Sequence, residues 1–389
     1  MKKSFAAKNL LIGCLIFVAA TGWAKSYVMY VGTYTNNGSK GIYAYRYDTG
    51  TGKLSAIGLA AETVNPSFLV ADSGGSHLYA VNETENYGGA ASGGVTAFAI
   101  DRATGKLKKL DEVASHGADP CFISLDRSGK HVLVANYNGG DVTVFPVLAD
   151  GRLGEASSVM QDEGTLGPNH DRQEKPHAHW IAASARDRFV YVSDLGLDRV
   201  LIYKFDATKG TLSRGDSAGT LKDFFSANLT SGTGPRHVAF STDGNFMYVI
   251  GELDSTVTVF ANDAKETYQP IQKISVLPER FSGKNTAAEI AIHPNGKFLY
   301  VSNRGDDSIA VFAIDGASGK LTFIQRMASG GKAPRHFAID PARTHLLVAN
   351  QDTGNIVEFT IDEATGKLTH QVEAAKVPSP VCVIFVPAQ

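Results

Sequence analysis

Charged residues that could perform chemistry recur at two equivalent positions of a repeat that runs through the chain. The first position directly follows the residue that opens a strand, which is a proline in many copies, and the second position directly follows the next strand. Residues that differ between copies at one position are free to form a site, whereas shared residues serve the architecture. One histidine, three arginines and two glutamates occupy these positions: His179, Arg236, Arg335, Arg304, Glu83 and Glu252. Charges of both signs that converge on a concave surface are the expected form of a polar ligand site.

These residue types suit the attack of water on a polarised carbonyl group. Glu252 or His179 could accept a proton from the water. Arg236 and Arg304 could stabilise the negative charge that develops on the carbonyl oxygen. We therefore expect direct attack by water, and the sequence leaves open whether Glu252 or His179 is the base.

The elements that must position these residues are antiparallel strands. The repeat is most complete from Gly234 to Phe260, where alternating apolar residues are separated by Asp-Gly and Asp-Ser links typical of tight hairpins. Six copies align, and a half copy at the N-terminus lacks its first strand, which Pro380 to Val386 supplies. A period of roughly 50 residues with about four strands is typical of propeller blades. The sequence predicts an all-β, seven-bladed β-propeller with four antiparallel strands per blade, closed by both chain ends, as one domain over residues 25–389.

Residues 1–24 lie outside this repeat. Three lysines precede an apolar run from Leu10 to Ala20, and the small residues Gly22 and Ala24 occupy the positions that a signal peptidase reads. This pattern predicts a cleaved signal peptide and a periplasmic protein. The alternatives are a membrane anchor, for which the apolar run is short, and lipidation at Cys14.

Composition restricts the partners of the chain. The formal net charge is −2, so the sequence offers no basic field for nucleic acid or for an anionic membrane surface. Cys121 and Cys382 remain after signal cleavage, each in the first strand of a different, non-adjacent blade. An oxidising compartment permits a disulfide, but this separation favours two buried free thiols.

The longest insertion in the repeat runs from Gln161 to Trp180 and is polar. A loop of this length usually has a function, and we expect it to cover the mouth of the central channel of the propeller, where the two charged repeat positions lie. His177 and His179 share one face of an extended strand and could bind zinc, but no third ligand lies at a diagnostic spacing, so we expect no metal and no cofactor. His237 and His336 are expected to be hydrogen-bonded structural histidines.

Several motifs resemble those of the seven-bladed propeller lactonases, which include bacterial 6-phosphogluconolactonases and fungal carboxymuconate-lactonising enzymes. The resemblance covers essentially all of residues 25–389. It implies that His179, Arg236, Glu252 and Arg304 form the active site. We expect the neighbouring Glu83, Tyr137, His177 and Arg335 to bind the substrate. The motifs are the Gly167 to Glu174 run with Pro176-His177-Ala178-His179, Gly234-Pro235-Arg236-His237, Glu252-Leu253-Asp254-Ser255 and Ser302-Asn303-Arg304.

Export would restrict the choice of substrate to unphosphorylated sugars, because phosphorylated sugars are kept inside the cell. We therefore expect hydrolysis of glucono-1,5-lactone or a related aldonolactone, as in the periplasmic gluconolactonases of Gram-negative bacteria that the chain resembles. The first alternative is a 6-phosphogluconolactonase in which Arg335 binds the phosphate. The second alternative is a non-catalytic propeller scaffold, which should have an exposed apolar patch on one face.

Overall fold

Period-two alternation of apolar residues makes strands of most of the chain, as predicted. The computed structural model describes residues 26–214, 225–262 and 268–388. The predicted signal peptide, residues 1–24, lies outside the described residues. Within the described ranges the strands form seven antiparallel sheets, and one short 3-10 helix, Thr35–Asn37, is present. The prediction of an all-β, seven-bladed propeller with almost no helix is confirmed.

The first four sheets contain the strands up to residue 228. The first holds β1 (Ser26–Thr33), β2 (Gly41–Asp48) and β3 (Leu54–Glu62). The second holds β4 (Leu69–Ala71), β5 (His77–Asn82), β6 (Gly94–Asp101) and β7 (Lys106–Ala114), and the third holds β8 (Pro120–Leu125), β9 (His131–Asn136), β10 (Asp141–Pro146) and β11 (Ser158–Gln161). The fourth holds β12 (Ala178–Ala183), β13 (Phe189–Asp194), β14 (Arg199–Asp206), β15 (Thr211–Ser213) and β16 (Phe225–Asn228).

The remaining strands complete the ring. The fifth sheet holds β17 (Pro235–Phe240), β18 (Phe246–Gly251), β19 (Thr256–Asn262) and β20 (Tyr268–Ser275). The sixth holds β21 (Thr286–Ile292), β22 (Phe298–Arg304), β23 (Ser308–Ile314) and β24 (Leu321–Ala328). The seventh holds β25 (Pro334–Ile339), β26 (His345–Asn350), β27 (Asn355–Ile361) and β28 (Leu368–Lys376), and β29 (Pro380–Pro387) returns to the first sheet.

The two ends of the chain close the ring within the first sheet. Strand β29 pairs antiparallel with β1, with Tyr30 opposite Ile384, so the sheet order is β29-β1-β2-β3. The innermost strands contact one another in the order β29, β4, β8, β12, β17, β21, β25 and again β29. The C-terminal strand therefore supplies the inner strand that the N-terminal half copy lacks, which confirms the predicted closure.

The fourth sheet departs from four strands per blade. Strand β15 pairs with the end of β14 and β16 pairs with its beginning. The outer position of this blade is therefore shared by two short strands, with residues 214–224 between them along the chain.

A tyrosine in the second strand of several blades links neighbouring blades. The hydroxyl of Tyr248 donates to the carbonyl of Gly319, and that of Tyr300 donates to the carbonyl of Gly366, both over 2.9 Å. Each glycine lies in the Gly-Lys-Leu turn of the next blade with a φ of 70° or 72°, a conformation that favours glycine. The shared tyrosine and turn motifs thus serve the architecture.

Cys121 and Cys382 are buried free thiols, as predicted. Across the three described ranges, we find no helix with the length and apolar character needed to cross a membrane.

Candidate active site

A β-bulge turns the residue at the first repeat position towards the channel mouth, which we define as the end of the ring that carries the two repeat positions. In six of the seven innermost strands the pairing register shifts at this residue. A bulge places two residues opposite one and redirects a side chain. In β12 and β17 the residues at the bulge are His179 and Arg236, so local backbone geometry presents both to the mouth.

A repeated backbone hydrogen bond brings the second position next to the first. The N–H of Glu252 donates to the carbonyl of Gly234 over 2.8 Å, and the N–H of Tyr137 donates to that of Asp119 over 2.8 Å. Gly234 and Asp119 precede the leading proline and have φ values of 59° and 51°. This turn therefore holds both functional positions of one blade at the same height.

Glu252 is the centre of the site. Its Oε2 atom lies 3.0 Å from Nη2 of Arg304 and 3.1 Å from Nε of Arg236, and 3.8 Å from Nε2 of His179. The four predicted catalytic side chains thus come together from β12, β17, β22 and the turn after β18. Only 4% of the Glu252 side chain is exposed, so these contacts operate in a poorly solvated environment.

The cluster separates the charge states of Glu252 and His179. Burial by itself would raise the pKa of Glu252, but the positive charges of Arg304, Arg236 and Arg172 outweigh it and hold this pKa well below 4.5. Burial, followed by Arg236 and His237, lowers the pKa of His179 well below 6.5. At neutral pH the site therefore contains a carboxylate and a neutral imidazole.

Arg172 is a member of the site that the sequence analysis did not single out. It belongs to the mouth loop, which we define as residues 162–177 between β11 and β12. Its Nη2 atom donates to Oε1 of Glu252 over 2.7 Å and to the hydroxyl of Tyr137 over 3.1 Å. Its side chain is 38% exposed. The insertion that was predicted to cover the mouth therefore also contacts Glu252 directly. The Asn-His-Asp-Arg-Gln run within it was the feature of the sequence that could have indicated Arg172.

The predicted substrate-binding residues take two different positions. The ring of His177 is stacked on that of Tyr137 at 4.4 Å, and its nitrogens contact the carbonyl of Tyr137 and the carboxylate of Glu174. His177 is buried behind Tyr137, and its ring is not in contact with Glu252. Tyr137 also meets the ring of His179 edge-on at 5.4 Å. Tyr137 therefore lies in the site, whereas His177 supports it.

Arg335 and Glu83 both contact Tyr34 at the same mouth. The hydroxyl of Tyr34 donates to Oε1 of Glu83 over 2.8 Å, and the guanidinium of Arg335 lies over the Tyr34 ring at 5.2 Å. Within the described residues Arg335 makes no hydrogen bond or ion pair, although Tyr34, Glu83 and Glu252 attract its charge. This guanidinium can therefore still bind an anionic group.

Two other arrangements bear on the site. In the described ranges no group of three His, Cys, Asp or Glu side chains is placed to hold a metal ion, and His177 and His179 contact separate partners.

A cavity of about 560 Å³ lies at the opposite end of the ring, between the β12–β13 and β17–β18 turns, with Arg127, Tyr191 and Phe240 in its wall. None of the predicted site residues line it.

Comparison with known proteins identifies the family of the chain. Residues 28–385 match the family model described as "Lactonase, 7-bladed beta-propeller". The chain is 37% identical over 304 residues to a 6-phosphogluconolactonase of Bacillus subtilis (strain 168), which covers 78% of this chain and 82% of that protein. The solved structure of the Pseudomonas aeruginosa periplasmic gluconolactonase is 33% identical, with a TM-score of 0.84 over 94% of this chain and 100% of that chain. The chain therefore belongs to the seven-bladed β-propeller lactonase family, and the protein is a lactone-hydrolysing enzyme.

Proposed function

We propose that the protein hydrolyses a sugar lactone, glucono-1,5-lactone or a related aldonolactone, to the aldonic acid at the channel mouth. The observation that carries this proposal is the convergence of His179, Arg236 and Arg304 on Glu252. This cluster combines a neutral proton acceptor with cationic donors, which are the two requirements for attack of water on a lactone carbonyl.

His179 is the better candidate for the base. The low pKa of Glu252 makes its carboxylate a weak proton acceptor, whereas the imidazole of His179 is neutral at pH 7. In the proposed reaction the water oxygen attacks the carbonyl carbon while His179 takes one proton of the water. Glu252 stabilises the resulting imidazolium, and His179 returns the proton to the ring oxygen as the ester C–O bond breaks.

Arg236 and Arg304 are suited to stabilise the negative charge on the carbonyl oxygen. Nη1 of Arg236 donates to the carbonyl of Ala288 over 2.7 Å, which fixes the guanidinium. Within the described residues, Nη2 of Arg236 and Nη1 of Arg304 donate no hydrogen bond and so remain available to a ligand. Burial and then Arg304 lower the pKa of Arg236 to about 10, so it stays charged at neutral pH.

Two side-chain nucleophiles could compete with water, and both are less suitable. Sγ of Cys121 lies 3.7 Å from Nδ1 of His179, but burial raises the pKa of this thiol well above its usual value, and the thiolate is the reactive form. A Gly-x-Ser-x-Gly sequence occurs at residues 215–219, outside the described residues. Such a motif acts in the strand-to-helix turn of an α/β-hydrolase, which an all-β fold does not provide.

The unphosphorylated substrate follows from the proposed export. The N-terminal pattern favours a cleaved signal peptide, and a periplasmic enzyme would meet aldonolactones formed outside the cytoplasm. The similarity to the Pseudomonas aeruginosa periplasmic gluconolactonase supports the same substrate. N-terminal sequencing of the exported protein should give a start at Lys25; a start at Met1 or a lipidated Cys14 would remove the basis for this choice.

Arg335 favours 6-phosphogluconolactonase activity as a second candidate. Its guanidinium has no carboxylate bound within the described residues, and a guanidinium can bind a phosphate in a bidentate manner. The Bacillus subtilis relative carries that activity in its name. A scaffold role has less support, because the exposed large apolar side chains, such as Val64, Phe323 and Val372, belong to different blades or links.

The test compares glucono-1,5-lactone with its 6-phosphate, using purified residues 25–389 and subtracting spontaneous opening. We expect a higher kcat/KM for the unphosphorylated lactone, and Arg335→Ala should change it little. If the phosphorylated lactone is the substrate, Arg335→Ala should instead raise its KM by roughly tenfold or more, the scale of a lost charge-assisted contact. A protein that opens neither lactone above the blank rate would contradict the proposed function.

A further inference from the structure

A second charged cluster lies directly beneath Arg236. It consists of Glu289 in β21, His237 in β17 and His336 in β25. Between 2% and 8% of each residue is exposed. Buried carboxylates and imidazoles need partners, so their hydrogen bonds determine which atoms carry protons.

Arg236 fixes the tautomer of His237. Nη1 of Arg236 lies 3.2 Å from Nε2 of His237, and a guanidinium can only donate. Nε2 must therefore be the acceptor, and the ring proton must be on Nδ1. Nδ1 lies 3.1 Å from Oε2 of Glu289, so His237 donates to this carboxylate. The three side chains form one directed chain of hydrogen bonds from Arg236 through His237 to Glu289.

His336 supports the same carboxylate from another blade. The N–H of Val383 donates to Nδ1 of His336 over 3.2 Å, which leaves the ring proton on Nε2. Nε2 lies 3.5 Å from Oε2 of Glu289, and the N–H of Ile290 donates to Oε1 over 3.1 Å. Glu289 is therefore surrounded by donors. His237 carries its ring proton on Nδ1 and His336 carries its ring proton on Nε2, and both of these N–H groups face Oε2 of Glu289.

Aromatic rings keep His237 in this orientation. Phe122 meets the His237 ring edge-on at a centroid distance of 5.0 Å, and Phe68 does so at 5.8 Å. A flip of the imidazole would break both of its hydrogen bonds, and the two packed rings oppose a tilt of the imidazole out of its plane. The packing of Phe122 and Phe68 and the two hydrogen bonds together favour the orientation in which His237 accepts from Arg236.

We propose that Glu289 and His237 are positioning residues that hold the guanidinium of Arg236 in the orientation needed for the transition state. This inference rests on the proposed function, because it acts through the role given there to Arg236. The proposed charge on the carbonyl oxygen exists only in the transition state, so a misoriented Arg236 lowers kcat and leaves KM nearly unchanged.

The first test separates positioning from packing at His237. His237→Phe removes both hydrogen bonds, and kcat should fall by roughly tenfold to a hundredfold with KM within about threefold. His237→Gln keeps one amide acceptor and one amide donor, so it should recover most of the lost kcat. The matched control is His293→Phe, which alters a buried histidine that directly follows β21 and should lower Tm without lowering kcat. Equal kcat values for the Phe and Gln variants would overturn the proposal.

The second test asks whether His237 acts through Arg236. In an Arg236→Ala background, His237→Phe should change kcat by less than about twofold, because the residue it positions is gone. A merely structural role predicts the same loss in both backgrounds, and that result would overturn the proposal.

A third measurement does not depend on activity. In protein labelled with ¹⁵N-histidine, NMR should find the proton of His237 on Nδ1 and that of His336 on Nε2, with His237→Gln used for assignment. A proton on Nε2 of His237 would overturn the positioning proposal even in an active enzyme. The expected tautomers in a protein that opens no lactone would overturn the proposed function and, with it, the catalytic role of this cluster.

Discussion

His179 determines how the activity should depend on pH on the acid side. Because burial, Arg236 and His237 lower its pKa well below 6.5, the neutral base persists as the pH falls below this value. kcat/KM should therefore stay nearly constant between neutral pH and about pH 6 and should fall only in more acidic solution. A blank-corrected pH profile of kcat/KM measures this directly. A midpoint at or above the usual histidine value would contradict His179 as the base.

The residue types of the site were largely predictable, but their partners were not. Comparison of equivalent repeat positions identified His179, Arg236, Glu252 and Arg304, and all four meet in the structure. Arg172 was missed because it comes from an insertion, which has no equivalent position in the other blades. His177, expected separately to bind the substrate, is instead stacked on the ring of Tyr137.

At the scale of elements, a buried pair of carboxyl groups anchors both ends of the mouth loop. Asp162 begins the loop, and Oδ1 of Asp194 accepts the N–H of His177 at its end over 2.9 Å. Asp162 and Asp194 are buried neighbours, and within the described residues Oδ2 of each has no hydrogen-bond partner, so a proton shared between the two carboxyl groups would satisfy both. The hydroxyl of Tyr203 donates to Oδ1 of Asp162, and Asp141 adds further negative charge nearby.

This pair makes the stability of the protein sensitive to pH. Burial and the neighbouring carboxylate raise the pKa of Asp162 well above 3.8, and burial raises the pKa of Asp194 to about 6. A raised folded-state pKa means that stability is lost as the pH rises from the unfolded value through the folded value. The folded protein should therefore lose stability between about pH 4 and pH 6 or above.

Asp162→Asn should remove much of this loss. An asparagine keeps an acceptor for Tyr203 and donates to Asp194 at every pH, so it imitates the protonated carboxyl group. We expect the variant to exceed the wild-type Tm by at least about 2 °C at about pH 8, with a smaller gap at about pH 5. Asp352→Asn, at an exposed position, is the control and should leave both Tm values unchanged. An equal or lower Tm for Asp162→Asn at the higher pH would contradict the shared proton.

The strands were predictable from alternation, whereas the local irregularities that aim the site were not. The leading prolines marked where the inner strands begin, but the bulge after them depends on pairing with the second strand. The division of the outer strand of the fourth blade into β15 and β16 was also missed, because the shared repeat pattern describes four strands.

At the scale of the whole molecule, the ring depends on one non-local pairing. Deletion of residues 379–389 removes β29, and with it the antiparallel partner of β1. The exposed edges should then pair between molecules, so the truncated protein should aggregate and lose cooperative unfolding. Size-exclusion chromatography and thermal unfolding can measure both effects. A soluble, cooperative and fully active truncation would contradict closure of the ring by β29.

The architecture was predictable because the same sequence pattern recurs in several blades. Alternation, hairpin turns and the tyrosine and glycine motifs occur in several copies, so a strand with a weak pattern in one copy can be recognised from its equivalents in the others. The half copy at the N-terminus even indicated its missing strand. The site has no such redundancy, since each of its side chains occurs once at its position in the ring.

The central claim is that the Glu252 cluster opens a sugar lactone. The most direct measurement is the blank-corrected hydrolysis of glucono-1,5-lactone by wild type and by the Glu252→Gln, His179→Ala double variant, with folding of both verified by circular dichroism and Tm. If this cluster opens the lactone, wild type should show a clear rate, and kcat of the variant should fall by roughly 10² or more, the scale of a positioned acid-base group. A folded double variant that hydrolyses the lactone at the wild-type rate would contradict this claim.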